Sequence, residues 1–225
     1  RDIVRALSRT SVAIAALMVA ISVIIGVSVM IGSFRSTVTS WLESTLRADI
    51  YLSTPGVSAT RSEGSIPPEV AEQLADVEGV QEVATAREVT VTSPELGPVR
   101  VVAVSDDISQ GAREFKWLDG TLQAAWTRLE AGEGLFISES FAFRHGLGPG
   151  SALTLETPQG ERTFPVLGEF YDYTSDQGNV LMNAARYRDL YGDPFLSSVA
   201  AYAEPGLDLD ELVERVRAEV AADQQ

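Results

Sequence analysis

Hydrophobic positions along this chain fall into three regimes. From Ser11 to Gly32 every residue is apolar or small, 22 positions without one charge. From Ser33 to Arg47 the apolar positions thin to a stripe, Phe34, Val38, Trp41, Leu42 and Thr45, spaced by three and four among Arg35, Ser36, Glu43, Ser44 and Arg47. Beyond Ala48 they form short runs punctuated by Pro and Gly. At about 1.5 Å rise per residue the first run reaches roughly 33 Å as a helix, enough to cross a hydrocarbon core of about 30 Å. Its Val, Ile and Leu residues each favour insertion by about 0.3–0.6 kcal/mol, and no charge opposes them. Residues 11–32 are therefore expected to span a membrane, and residues 33–48 to continue as a helical stalk whose stripe leans on a partner or on the following domain. Trp41 lies about 14 Å past Gly32 at helical rise, beyond an ordinary interfacial belt, which favours a projecting stalk over a helix lying on the membrane surface. Within the span Ala16 and Ala20, Ser22 and Gly26, and Ser28 and Gly32 form small-xxx-small pairs, which let helix backbones approach closely. Phe34, Val38, Trp41 and Leu42 are the expected pairing face of the stalk.

The flanks give the orientation. Arg1, Arg5 and Arg9 precede the span with only Asp2 against them, so residues 1–10 are expected in the cytoplasm and residues 33–225 outside it. A cleaved signal peptide is the competing reading. The apolar run is longer than the usual secretory core, and the stretch Val27 to Ser33 offers no convincing small-x-small site. The first residue is Arg rather than Met, so a longer parent polypeptide is expected.

The remaining pattern is α+β. Residues 48–54 read as a strand ended by Pro55-Gly56. Pro67-Pro68 opens a helix with Val70, Leu74 and Val77 on one face and Gly79 as its stop. Residues 80–92 and 99–105 are β-rich around the turn at 93–98. Late in the chain, Ser198–Tyr202 reads as a strand. Residues 207–222 read as a helix with Leu209, Leu212, Val213, Val216 and Val220 inward. Joined to the first group, that late pair completes a split βαβ pattern. The chain is thus expected to build one subdomain from residues 49–105 plus 193–225, interrupted by a second, mostly β, at 106–192. The insert reads as a strand at Leu135–Ser138, a helix at Glu139–His145 stopped by Gly146, and a hairpin of 152–156 with 161–166. A strand at 180–182 and a helix at 184–191 capped by Asn183 close it.

Charge and composition narrow the chemistry. Of 17 Lys and Arg and 32 Asp and Glu, three Arg and one Asp precede the span, leaving 14 against 31 outside it. Such an acidic surface argues against nucleic acid and against adhesion to anionic lipid. There is no Cys, which excludes disulfides and thiolate metal sites, and a single His. His145 ends a short helix, where a cation suits the dipole, and no nucleophile–base spacing surrounds it. Glu169, Asp172 and Asp176 lack the alternation of a calcium loop and read as a solvated loop. Asp106 and Asp107 fit a capping role. Gly146-Leu-Gly-Pro-Gly150 leads into a strand and lacks the Lys-Ser/Thr ending of a phosphate loop, so it reads as a turn. Phe170, Tyr171 and Tyr173 suit either a ligand surface or a half-buried strand. No catalytic, cofactor or metal set emerges.

The order of these pieces carries a resemblance. Arg35–Trp41 with Asp49–Pro55, the run Leu74–Val80, and Leu135–Ser140 followed by Gly146–Ser151 are similar to the extracytoplasmic domain of FtsX-like, MacB-type ABC transporter permeases. That resemblance implies a membrane helix and stalk followed by a porter-like α+β subdomain with a β-rich insert. It also implies a bacterial inner-membrane location, a separate cytoplasmic P-loop ATPase, and a second permease half or homodimer partner. An extracytoplasmic partner protein is a further option. The function so implied is transmission of ATPase-driven motion to move or release a lipid, lipoprotein, peptide or efflux substrate. The alternatives are a membrane-anchored binding or adaptor module without a transporter, and, less favoured, an anchored hydrolase.

Overall fold

The computed structural model describes residues 2–45, 48–53, 65–105, 113–172 and 174–222. It divides into a helical unit, residues 1–46, and a second unit, residues 47–225. The first is one uninterrupted helix, α1 (Asp2–Thr45), 44 residues long. No Pro or charge breaks it between Ser11 and Gly32, so the apolar run and the stripe beyond it share one helical phase. Within Ser11–Thr39 the most apolar stretch reaches a mean hydropathy of 2.8, and the helix has the length to cross a bilayer.

Among the described residues the second unit is built on nine strands. They are β1 (Ile50–Ser53), β2 (Val80–Ser93), β3 (Gly97–Val104), β4 (Phe115–Leu118), β5 (Leu135–Ser138), β6 (Ala152–Thr157), β7 (Gly160–Phe170), β8 (Val180–Asn183) and β9 (Ser198–Ala203). Five helices cover them: α2 (Pro68–Ala75), α3 (Leu122–Glu130), α4 (Glu139–His145), α5 (Ala184–Tyr191) and α6 (Leu209–Ala222). Eight strands run in the order β1-β9-β2-β3-β8-β5-β7-β4, with β6 paired to β7 off that path.

The split βαβ pattern is present. Strand β9 lies between β1 and β2 and is antiparallel to both, so β1 and β2 run parallel with α2 as their crossover. Helices α2 and α6 bury Leu74, Leu212 and Val216 against Ile50, Val199 and Ala201 of β1 and β9. Leu209, expected to face inward, is instead 44% exposed. It is the first residue of α6, and Leu207, in the preceding turn, packs against the core in its place. The position of the Val220 side chain lies outside the described residues, as do Thr54, Pro55-Gly56, Asp106, Asp107 and Tyr173.

Strand β8 joins β3 in parallel, Val101 opposite Val180, and carries the same sheet into the residues between the two halves of the βαβ pattern. A core of Val99, Val101, Leu135, Ile137, Phe141, Met182 and Tyr187 spans that junction. On the opposite face Trp126 and Leu129 of α3 pack with Phe136, Leu167, Phe170 and Leu181. Strand β7 runs four residues past the predicted Val166. Its first half pairs with β6, and its second half is clamped between β5 and β4.

Candidate functional site

The membrane-helix residues expected to pack, Ala16, Ala20, Ser22, Gly26, Ser28 and Gly32, all lie on α1 and are exposed. A continuous helix lets their directions be compared. At about 100° per residue the Ala16–Ala20, Ser22–Gly26 and Ser28–Gly32 pairs point in three directions roughly 120° apart. They are not one stripe. Only the Ala16–Ala20 direction continues into the stalk, where Phe34 and Val38 return to it and Leu42 lies at its edge. Phe34 and Leu42 are exposed, Val38 is half-buried, and the Trp41 side chain lies outside the described residues. Phe34 is 70% exposed, and Val19, Ile24 and Met30 nearly as much. A helix apolar all round cannot stay so in water, since exposed patches of this size are otherwise covered by lipid or protein.

In the second unit the built feature is the junction between α4 and the loop that follows β7. Ser138, last residue of β5, is the N-cap of α4: its Oγ accepts from Phe141 N at 3.4 Å and from Asn179 N at 2.9 Å. Asn179 O accepts from Ser138 N at 3.0 Å. Gly178, at φ +74°, lies so close that a Cβ there would stand 2.4 Å from Phe141 N and 2.6 Å from Ser138 Oγ. The loop then runs along α4, where Ser140 Oγ donates to Ser175 O at 3.3 Å and Arg144 Nη2 to Asp176 O at 3.4 Å.

This loop walls a cleft of about 750 Å³ closed on the other side by Thr90, Leu96, Pro98 and Arg100 of the β2–β3 hairpin. Arg144 and His145 line it from α4. The His145 ring packs on Phe141 at 4.5 Å between centroids, and partial burial, aided by the Arg144 charge, pulls its pKa below the usual 6.5. Arg100 pairs with Glu88.

Glu169 and Asp172, two of the carboxylates from the sequence reading, are engaged in holding the fold. Buried Glu169 accepts from Lys116 Nζ at 2.8 Å and from Trp117 Nε1 at 2.6 Å, tying β7 to β4. Lys116 also reaches Glu139 at 3.2 Å, and these two partners raise its pKa above 10.5. Asp172 Oδ1 accepts from Thr174 N at 2.9 Å, and its Oδ2 accepts from Thr174 Oγ1 and from the Asn179 amide. Asp176 lines the cleft. Elsewhere Asp193 gathers Arg87 and Tyr187, whose hydroxyl donates at 3.0 Å and whose pKa burial lifts to about 12. Among the described residues no three His, Cys, Asp or Glu converge as metal ligands. Gly146 is the left-handed cap of α4, in keeping with the turn reading, and Phe170 is buried in the sheet. The sequence reading did not single out Arg100 or Arg144. Only the fold brings the hairpin at 90–100 beside α4.

Comparison with known proteins gives one consistent result. The profile of the MacB-like periplasmic core domain matches residues 10–219. The uncharacterized ABC transporter permease protein Rv0987 of Mycobacterium tuberculosis is 42% identical over 223 residues, 98% of this chain. The chain spans about a quarter of that relative, 26% of its length. The periplasmic region of MacB from Actinobacillus actinomycetemcomitans superposes with a TM-score of 0.56 at 9% identity, covering 76% of this chain and 81% of that one. The extracellular domain of the noncanonic ABC-type transporter YknZ from Gram-positive bacteria does so with a TM-score of 0.50 at 12% identity, covering 74% and 86%.

Proposed function

Because the chain belongs to the MacB-like periplasmic core domain family of ABC transporter permeases, we propose that it carries ATPase-driven motion across a bacterial inner membrane. Residues 1–10 lie in the cytoplasm, as the three leading Arg favour, and residues 33–225 lie outside. The family is one of transporter permeases rather than of enzymes. The energy source is a separate P-loop ATPase acting on the permease from the cytoplasmic side, and a second permease half completes the membrane part. The substrate is a lipid, lipoprotein, peptide or efflux compound, and an extracytoplasmic partner protein receives it or the signal. Residues 49–105 with 193–225 act as the porter-like subdomain and 106–192 as its insert.

The observation that carries this reading is α1 itself, one helix from Asp2 to Thr45 with no break where the apolar run ends. A continuous helix transmits displacement, whereas a flexible linker would dissipate it. Positions Ala20, Ile24, Val27, Ile31, Phe34, Val38, Trp41 and Thr45 alternate by four and three without a skip, the seam of a helix paired along its length. The Ser22–Gly26 and Ser28–Gly32 directions then serve other membrane helices. A Gly-Ser insertion near Ser40 in the full-length permease should abolish transport while leaving assembly with the ATPase intact. Unchanged transport would overturn the lever. Purification in mild detergent without a stoichiometric P-loop ATPase would overturn the transporter reading.

A further inference from the structure

The cleft between α4 and the β2–β3 hairpin has no part in the lever, and it departs from the charge of its surroundings. Residues 33–225 carry 31 acidic against 14 basic side chains. The cleft lining reverses that balance, with Arg100 and Arg144 facing one acid, Asp176, and His145 beside them. Several cations of the domain are held by carboxylates: Arg87 by Asp193, Lys116 by Glu169 and Glu139, Arg128 by Asp119, Arg217 by Glu214. Arg100 shares in this through Glu88, which does not line the cleft. Arg144 does not. Among the described residues it forms no ion pair, and its hydrogen bond goes to the carbonyl of Asp176, which leaves the rest of its fork unengaged.

Position at the end of α4 accounts in part for a cation there, since Arg144 and His145 occupy the last turn. It does not account for a cleft of about 750 Å³, within the usual range for small-ligand pockets. Nor does it account for a wall already fixed by the Ser138, Ser140 and Gly178 contacts. A preformed wall removes the ordering cost that a loop closing on a ligand would incur. Leu96, Pro98 and Phe141 supply apolar lining beside the cations.

We propose that this cleft binds an amphiphilic organic anion, one carboxylate or phosphate on an apolar body, with Arg144 as the principal contact to the anionic group. The guanidinium fork suits both oxyanions. His145 adds a second donor when protonated, and Leu96 and Phe141 cover the apolar part. The assignment rests on the domain alone and stands whether or not α1 acts as a lever.

The test uses the full chain in lipid nanodiscs and follows the imidazole signals of His145, the single histidine. Phenyl phosphate, N-acetylphenylalanine and the neutral benzyl alcohol are titrated separately. The expected result is a saturable shift with at least one anion and none with the alcohol. Arg144→Gln should weaken it about tenfold, the loss of one charge-assisted hydrogen bond. Phe143→Ser, at a side chain 90% exposed and outside the cleft lining, should leave it unchanged. Response to the phosphate alone assigns a lipid-headgroup chemistry, and response to the carboxylate alone a peptide terminus. Absence of a saturable shift with either anion, an equal shift with benzyl alcohol, or undiminished binding by Arg144→Gln would overturn the proposal.

Discussion

Gly178 joins the loop after β7 to the start of α4, and the cost of filling that contact can be worked out. At φ +74° an alanine carries about 1–2 kcal/mol of left-handed strain. Its Cβ would also stand 2.4 Å from Phe141 N, 2.6 Å from Ser138 Oγ and 2.7 Å from Phe141 Cβ. Two of those neighbours belong to a capped helix start that cannot yield as a free side chain does. Overpacking of this kind costs a further ~1–3 kcal/mol. Gly146 is the matched control. Its φ is +64°, but a Cβ there meets nothing within 4 Å, so Gly146→Ala carries strain without overlap. For a domain of this size each kcal/mol moves Tm by about 2–4 °C. Gly178→Ala should therefore melt roughly 2–12 °C below Gly146→Ala. Thermal unfolding of the full chain, followed by near-ultraviolet circular dichroism, reads the difference. Equal melting of the two variants would show that the loop does not bear on α4 as described.

Three other outcomes follow from the same contacts. Leu212→Ala, at a fully buried position of α6, should cost about 2–5 kcal/mol in urea unfolding, and a cost under 1 would mean that α6 does not close the first core. His145 should titrate with a midpoint below 6.5 by NMR, and Arg144→Gln should move that midpoint upward. Because the folded state disfavours its proton, the His145 contribution to stability is present above 6.5 and is lost as pH falls through the lower folded value. Lys116 has the opposite sign. Its raised pKa gives a contribution complete below pH 10.5 that fades as pH climbs through the folded value, and Glu169→Gln with Glu139→Gln should shrink that alkaline loss in a pH series of melts.

Local chemistry explains what was legible in the sequence. A cap and a stop were written out in it: Asn183 does cap α5, and Gly146 does end α4 in the left-handed conformation. The split βαβ pattern was legible because Leu74, Leu212 and Val216 repeat at helical spacing over short apolar strands. Helix α3 was missed because its buried residues, Ala125, Trp126 and Leu129, are outnumbered by polar neighbours. Strand β4 was missed because four residues with Lys116 in the middle carry too little alternation. The end of β7 was hidden by Gly168 and Glu169, a residue that weakens strands and a charge in a buried position. Trp117 and Leu118 crowd the glycine, and Lys116 neutralises the carboxylate. Most of the cleft was illegible for a related reason. Arg100 and Arg144 are ordinary surface residues until β8 docks beside β3, a pairing between segments nearly eighty residues apart in sequence.

Pairing of β1 with β9 has a consequence for how the protein is made. Ile50 is matched with Ala201, and Asp49 Oδ2 accepts from Ala203 N at 2.8 Å, so among the described residues the strand next to α1 in the chain finds its neighbour near the far end. During synthesis β1 therefore emerges early and waits for ~150 further residues before it can pair, a closure that contact-order arguments make slow. Through that interval the chain carries an unpaired edge, the kind of site that invites pairing with another chain. The strand that follows α1 in sequence is thus completed only when β9 has been made.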